Sequence, residues 1–141
     1  DTVKEILNQE KIEGIDKQES YFKFNENCER SKEKLTSLLK QLKSKGKKII
    51  GYGATSKSTT ILNYCGIGPN LIEFICDTTP IKQGKYSPGM HIPVYSYEKF
   101  KDNNPDYALL FAYNHRKEII NKEKDFKGKW ITYVPDINIF E

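Results

Sequence analysis

The sequence predicts a three-layer α/β domain with a mostly parallel sheet, preceded by a long N-terminal helix. From Lys47 onward, short and almost wholly apolar segments alternate with amphipathic ones. This alternation is typical of buried parallel strands that are covered by helices on both faces. A glycine-rich turn follows the first apolar segment, and residues 1–46 carry leucines at helical spacing among many charges. Together these observations predict the fold class.

Composition narrows the range of functions. The 141 residues fit one compact domain and carry a net charge of +4, but only Arg30 and Arg116 are arginines. Because nucleic-acid binders usually show a dense, arginine-rich basic face, we expect no nucleic-acid partner. No segment approaches the length of apolar chain that spans a bilayer, so we expect no membrane partner. Three widely spaced cysteines without a CxxC pair indicate a reducing, cytoplasmic location and no metal site.

The N-terminal third is predicted to be helical. The pattern predicts a helix over Ser20–Lys45, with leucines at positions 35, 38, 39 and 42 on one face. Before it, Lys11–Gln18 is polar and is interpreted as a linker, and the apolar residues between 3 and 7 indicate a short helix. We assign residues 1–46 to an N-terminal helical segment or linker that continues from upstream of this chain, and residues 47–141 to a Rossmann-like domain.

The remaining two-thirds is predicted to alternate between strands and helices. Predicted strands are Lys48–Gly53, Leu71–Cys76, His91–Val94, Tyr107–Phe111 and Trp130–Val134; predicted helices are Lys57–Cys65 and His115–Lys124. Glycines and a proline end the first of these helices.

The segment Gly51–Ser56 has the composition of an anion-binding turn. Glycines after a buried strand let the backbone approach a ligand, and the first N–H groups of the next helix point toward it. Lys57 adds a cation where the helix dipole favours an anion. The alternative is an ordinary structural turn with a solvated lysine.

Other polar side chains are predicted at the carboxyl ends of strands, where open α/β sheets bind ligands. Asp77 lies where a dinucleotide-binding fold places its ribose-binding acid, or it caps a loop. Lys82–His91 is either a shaped binding loop or a solvated basic one. Asn114 contacts a ligand or caps a helix. Four tyrosines could stack on a base or sugar, or belong to the core: Tyr52, Tyr64, Tyr86 and Tyr113. From the residues alone, no catalytic residue is identified.

Three ordered blocks resemble a known family. Gly51–Gly68, Asp77–Val94 and Asp106–Asn114 are similar to the motifs of the C-terminal domain of S-adenosylmethionine-dependent sugar C-methyltransferases. The resemblance covers about the last two-thirds of the chain. Ser58, where relatives usually have glycine, and the pair Thr55–Ser56 depart from the family pattern.

The resemblance implies a multi-domain enzyme that methylates a sugar carbon beside a ketone, through an enolate formed by a base. A central domain, upstream of this chain, would hold S-adenosylmethionine and the catalytic residues. No cofactor is then expected within residues 1–141. The expected partners are a nucleotide-diphosphate sugar and the upstream methyltransferase domain. On its own, this chain is expected to be inactive.

The resemblance also suggests which residues contact the substrate. Gly51, Gly53 and Ala54 would form the turn beside the ligand, and Lys57 and neighbouring hydroxyls such as that of Ser56 would face phosphate or sugar oxygens. Asn63 and Tyr64 match the family pattern, and the second block would form a wall with Lys82, Tyr86 and His91.

Two alternatives from other functional classes stay open. The Gly-x-Gly turn and Asp77 also fit a dinucleotide (NAD)-binding domain of an oxidoreductase, although Ser56 replaces the third glycine of that pattern. The other alternative is a non-enzymatic interaction module that assembles through the helix over Ser20–Lys45.

Overall fold

The computed structural model describes all residues, Asp1–Glu141, as a mixed α/β structure built on one six-stranded sheet. The strands are β1 (Ile49–Tyr52), β2 (Ile75–Cys76), β3 (Val94–Tyr95), β4 (Tyr107–Leu110), β5 (Lys129–Thr132) and β6 (Asn138–Phe140). The helices are α1 (Thr2–Ile12), α2 (Gln18–Ser44), α3 (Ser56–Cys65), α4 (Tyr97–Asn103) and α5 (Arg116–Lys122), with 3-10 turns at Pro80–Lys82 and Tyr113–His115. None of the helices combines the length and the apolar character needed to cross a membrane.

The strand order in the sheet is β3-β2-β1-β4-β5-β6. Strands β1 to β5 are parallel, and β6 is antiparallel to β5. The prediction of a mostly parallel sheet is confirmed. Because the chain turns to one side of β1 for β2 and β3 and to the other side for β4, the strand order reverses beside β1. In doubly wound sheets, ligands bind at the carboxyl ends of the strands beside such a reversal.

Side chains of successive strand residues point to opposite faces of the sheet and enter two separate cores. On one face Ile49, Leu109 and Ile131 pack with leucines of α2 and α3. On the other face Tyr52 and Trp130 join an aromatic core beneath α4 and α5. Helices therefore cover both faces, as the apolar strands predicted.

The N-terminal region contains a short and a long helix, as predicted, but the linker between them is shorter than the predicted Lys11–Gln18, because α1 ends at Ile12 and α2 begins at Gln18. α1 is separated from α2 by a turn in which Gly14 has a φ of 70°, and the Ser20 hydroxyl donates to the Gly14 carbonyl over 2.6 Å. The C-terminal half of α2 packs on the sheet through its buried leucines 35, 39 and 42, as predicted. By contrast, no residue of α1 is buried.

Four sequence-based assignments differ from the structure. The predicted strand His91–Val94 overlaps β3 only at Val94, because His91 has a φ of 52° and the chain becomes a strand only at Val94–Tyr95. The predicted strand Leu71–Cys76 is wrong in its first half, because the Leu71 and Ile72 amides donate to the Gly68 carbonyl and form a turn, leaving only Ile75–Cys76 in β2. This apolar run is buried without being extended. Helix α4 was not predicted, because seven residues with one buried side chain, Phe100, show too little periodicity. Strand β6 was not predicted either, because it is short and largely exposed.

Both edges of the sheet are short. β3 has two residues, and its outer side is paired with the preceding loop, since Gly84 donates to the Val94 carbonyl and Val94 donates to the Lys85 carbonyl. The opposite edge, β6, has three residues, and the Arg116 guanidinium lies 3.8 Å from the ring centroid of Phe140.

Candidate functional site

The candidate site lies at the carboxyl ends of β1, β2 and β4. The backbone continues the sheet pairing just beyond these strands: the Gly53 amide donates to the Cys76 carbonyl and the Phe111 amide donates to the Tyr52 carbonyl. The three strand ends are thereby held side by side at the point where the strand order reverses. Two cavities open on this edge, one on each side of the turn that follows β1.

The first cavity, called here the strand-end cavity, has a volume of about 480 Å³. Its walls come from the ends of β1, β2 and β4 and from α5. It is lined by Tyr52, Gly53, Cys76, Asp77, Thr78, Thr79, Tyr97, Ala112, His115, Glu118, Ile119 and Lys122. Its volume falls in the usual range of about 300–1,000 Å³ for small-molecule sites.

The second cavity, called here the loop cavity, has a volume of about 400 Å³ and lies between the start of α3 and the loop that leads to β3. It is lined by Ala54, Thr55, Ser56, Ser58, Thr59, Ile81, Lys82, Lys85, Tyr86, Ser87, Pro88 and Val94. Hydroxyl groups and two lysines dominate this lining, which suits an anionic or sugar-like ligand.

The turn between the cavities leads into a well-capped helix. Gly53 has a φ of 90°, a conformation that side chains disfavour. The Ser58 amide donates to the Thr55 hydroxyl over 3.1 Å, and the Thr55 amide donates to the Ser58 hydroxyl over 3.0 Å. This capping box uses Thr55 and Ser58, two of the residues that depart from the family pattern. The first helical amides, those of Ser56 and Lys57, have no acceptor within the helix, as at every helix start.

A buried carboxylate holds this turn in place. Asp77 accepts a hydrogen bond from the Ala54 amide over 2.7 Å, and the Lys82 ammonium donates to the same carboxylate over 3.1 Å and to the Ala54 carbonyl over 2.8 Å. Since Asp77 lines the strand-end cavity while Ala54 and Lys82 line the loop cavity, these three residues stand between the two spaces. We call them the Asp77 clamp.

The clamp keeps Asp77 ionised. Burial by itself raises the pKa of the Asp77 carboxyl, but hydrogen bonds from Thr79, including its amide at 2.8 Å, and the Lys82 ammonium outweigh burial. The pKa therefore lies below its ordinary value of 3.8.

A second buried carboxylate, that of Glu123, binds two tyrosines that line the strand-end cavity. Tyr52 and Tyr97 donate to the two oxygens of Glu123 over 2.7 and 2.6 Å. Burial, followed by the hydrogen bond to Glu123, raises the pKa of both phenols. The Lys122 ammonium lies 4.2 Å from the Tyr97 ring centroid. The cluster fixes two aromatic walls of the cavity.

Comparison with known proteins decides the family. A family model described as "C-methyltransferase C-terminal domain" matches residues 1–135. The chain belongs to this family. The resemblance seen in the sequence motifs is thus confirmed, and the match includes the two N-terminal helices and strands β1 to β5.

A curated relative agrees with this assignment. The chain is 39% identical over 137 residues to C-methyltransferase NovU of Streptomyces niveus. The matched region covers 95% of this chain and 33% of the relative, so the chain spans about a third of the length of the curated relative it matches.

In this C-methyltransferase C-terminal domain, seven of the thirteen predicted site residues line the two cavities. Tyr52, Gly53 and Asp77 line the strand-end cavity, and Ala54, Ser56, Lys82 and Tyr86 line the loop cavity. The other six line neither: Gly51, Lys57, Asn63, Tyr64, His91 and Asn114.

The structure gives several of these six other neighbours. Gly51 lies inside β1, where an added Cβ would come within 2.5 Å of the Phe111 ring. The Lys57 ammonium lies 5.8 Å from the Tyr113 ring centroid. His91 is exposed with a φ of 52°, and Asn114 is exposed in a 3-10 turn.

Asn63 and Tyr64 connect elements of the domain. The Asn63 amide donates to the Thr59 carbonyl within α3 and to the Pro88 carbonyl of the loop, over 2.8 and 3.0 Å. The Tyr64 hydroxyl donates to Glu29 of α2 over 2.6 Å. That hydrogen bond raises the pKa of Tyr64 to about 12.

Sequence reasoning missed several residues that line the strand-end cavity. Thr78 and Thr79 follow β2 directly, and His115, Glu118 and Lys122 lie on or just before α5. The rule that ligands bind after strand ends could have found the two threonines. The α5 residues could not be found this way, because their contribution depends on how α5 lies over the sheet. No group of three or more His, Cys, Asp or Glu side chains is placed to hold a metal ion.

Proposed function

We propose that this domain binds a nucleotide-diphosphate keto-sugar and orients it within an S-adenosylmethionine-dependent C-methyltransferase. The observation that carries the proposal is the pair of cavities meeting at a glycine turn on the carboxyl edge of the sheet. A nucleotide sugar has two bulky ends joined by an anionic diphosphate, and this edge offers two spaces joined by a helix start. Membership of the C-methyltransferase C-terminal domain family supports the same function.

In this proposal the diphosphate lies against the start of α3. The Ser56 and Lys57 amides and the helix dipole favour an anion there. Lys82 and Lys85 line the adjoining loop cavity and add positive charge. Lys57 is within reach of the same helix start, which accounts for a lysine in the first turn of a helix.

The nucleoside is assigned to the strand-end cavity. Tyr52, Ala112 and Ile119 supply flat or apolar surface for a base, while Thr78 and Thr79 supply hydroxyls at its rim. The sugar is assigned to the loop cavity, where Ser56, Thr59 and Tyr86 offer hydroxyl groups.

The domain would contribute positioning rather than bond chemistry. S-adenosylmethionine, held by the remainder of the enzyme, would supply the methyl group. The residues of this chain would bind the substrate, orient its reacting carbon and exclude water. Holding a reactant in a fixed geometry can account for a large part of a rate enhancement.

Ligand titration of the 141-residue chain tests this function. Nucleotide-diphosphate sugars with different bases, NAD and S-adenosylmethionine would be compared by thermal unfolding and calorimetry. A nucleotide sugar at about 100 times its Kd should stabilise the fold by about 2.7 kcal/mol. No stabilisation by any nucleotide sugar, with or without the rest of the enzyme, contradicts the proposal. Stabilisation by NAD alone favours the oxidoreductase alternative.

Variants of lysine residues locate the site. Lys122→Ala removes a cation from the strand-end cavity and Lys85→Ala removes one from the loop cavity. Each should weaken nucleotide-sugar binding by about 10- to 150-fold, because a hydrogen bond to a charged group contributes about 1.5–3 kcal/mol. Lys117→Ala, on α5 but in neither cavity, is the matched control and should leave the Kd unchanged.

A further inference from the structure

The first 24 residues of the domain present an uncovered apolar surface. Eight large apolar side chains there are between 48% and 70% exposed: Val3, Ile6, Leu7, Ile12, Ile15, Tyr21, Phe22 and Phe24. We call them the N-terminal apolar face. The only other large apolar side chains exposed to this degree are Ile81 and Tyr86, which line the loop cavity.

Nothing within the domain accounts for the stability of α1. The helix has 11 residues and none of them is buried. Isolated helices shorter than about 12–15 residues are marginal in water, and most helical stability in proteins comes from packing one face. Val3, Ile6 and Leu7 fall on one face of α1 at helical spacing, which is the pattern of a helix that packs against a neighbour. The physical expectation is that another surface covers this face.

We propose that the N-terminal apolar face docks on the preceding part of the same polypeptide, the part that carries the rest of the C-methyltransferase. The matched family is a C-terminal domain, and the chain aligns with only 33% of its relative. Because the matched family is a C-terminal domain, a protein of the relative's length would place its remaining domains before α1. This inference rests on family membership and is independent of the proposed nucleotide-sugar site.

The covalent connection favours this occupant over a second copy of the chain. A short linker holds the two surfaces at millimolar effective concentration, so a modest interface stays closed. Interfaces between domains of one chain typically bury about 600–1,500 Å², and a face built from eight large side chains is of that order. The mixed charges between them, Lys4, Glu5, Glu10 and Lys11, would form the polar rim.

Hydrogen exchange tests the docking. Amide exchange would be measured in the 141-residue chain and in the full-length protein that contains it. We expect residues 2–24 to exchange at least tenfold more slowly in the full-length protein, while amides of β1 and β4 exchange alike in both. Equal exchange of residues 2–24 in the two proteins overturns the proposal.

Variants test the face itself in the full-length protein. Leu7→Asp and Phe22→Asp each place a charge in the proposed interface and should abolish the added protection. Gln41→Glu is the matched control: it adds the same charge at an exposed position of α2 that lies outside the N-terminal apolar face. It should leave the protection unchanged.

The melting temperature and the ligand affinity of the 141-residue chain distinguish loss of docking from loss of folding or of substrate binding. The melting temperature of the 141-residue chain should change little with Leu7→Asp, because Leu7 is 52% exposed and no residue of α1 is buried. Its nucleotide-sugar affinity should not change either, so failure of the proposed function cannot be mistaken for failure of docking. Protection that depends on protein concentration, with a dimer in analytical ultracentrifugation, assigns the face to self-association and refutes the proposal.

Discussion

A single buried carboxylate, Glu123, holds two elements of the aromatic layer together. It is 6% exposed and accepts hydrogen bonds from Tyr52 of β1 and Tyr97 of α4. The Tyr52 ring in turn lies 5.3 Å from the Trp130 ring, measured between centroids. Buried polar groups of this kind are stabilising only while all members are paired.

Replacing this carboxylate should destabilise the domain. Glu123→Gln keeps the shape but removes the charge that strengthens both hydrogen bonds, so we expect the free energy of unfolding to fall by about 1–3 kcal/mol. Urea unfolding followed by the fluorescence of Trp130, the only tryptophan, measures the change. Glu118→Gln on α5, the helix that ends just before Glu123, should alter stability little, because the Glu118 side chain is 82% exposed. Equal effects of the two variants would contradict this role of Glu123.

The Asp77 clamp makes stability depend on pH. The folded-state pKa of Asp77 lies below its ordinary value, so its contribution is present above that value and is lost as the pH falls through the folded pKa. The free energy of unfolding of the wild type should therefore decrease from about pH 6 to about pH 3 more steeply than that of Asp77→Asn. Chemical unfolding across this range gives the comparison. Asp102→Asn, an exposed site on α4, should retain the wild-type slope.

At the scale of elements, one side chain attaches the loop before β3 to α3. The Asn63 amide donates to the Pro88 carbonyl, and Gly89 next to it has a φ of 80°. A Cβ at Gly89 would overlap the Asn63 amide group. The loop cavity between these elements therefore depends on a glycine at this position.

Two glycine variants distinguish the cost of backbone strain from the cost of the steric overlap with Asn63. Gly84 has a φ of 74° with nothing near its Cβ position, so Gly84→Ala should cost only the backbone term of about 1–2 kcal/mol. Gly89→Ala should cost about 1–3 kcal/mol more, because Asn63 must move. Thermal unfolding compares the two variants. A cost for Gly89→Ala no larger than that for Gly84→Ala would show that the loop adapts freely.

The spacing of hydrophobic residues and the positions of glycines predicted most helices and strands. The regular spacing of leucines predicted α2 within two residues at its start, and the glycine turn placed β1 and α3 correctly. The short elements α4 and β6 were not predicted, because too few of their side chains are buried to give a hydrophobic pattern in the sequence. The run Leu71–Cys76 was predicted as one strand because a buried turn and a buried strand can have the same apolar composition.

Ligand contact by the predicted site residues stays a prediction, but their contacts within the protein show how far residue type and spacing can go. Asp77 and Lys82, both predicted to contact a ligand, bind each other and the Ala54 backbone in the Asp77 clamp. Asn63 and Tyr64 fit the family motif, but their partners, Pro88 and Glu29, are 25 and 35 residues away in the chain. Spacing along a sequence carries no information about such tertiary contacts.

At the scale of the whole molecule, we expect the 141-residue chain to transfer no methyl group on its own. No catalytic residue was identified in it, and the proposed role is substrate positioning. Incubation with labelled S-adenosylmethionine and nucleotide keto-sugars measures this directly. The proposed full-length C-methyltransferase, assayed in parallel, is the positive control. Turnover by the chain alone would place reaction chemistry in this domain.

The short edges of the sheet have a consequence for behaviour at high concentration. Unpaired edge strands are templates for intermolecular strand addition and amyloid-like aggregation. Here one edge is already capped by residues 84–87, and the other ends after three residues next to an arginine. Should this domain precipitate during purification, the cause would lie in its helical N-terminal region, and detergents or solubilising mutations would be directed there rather than at the sheet.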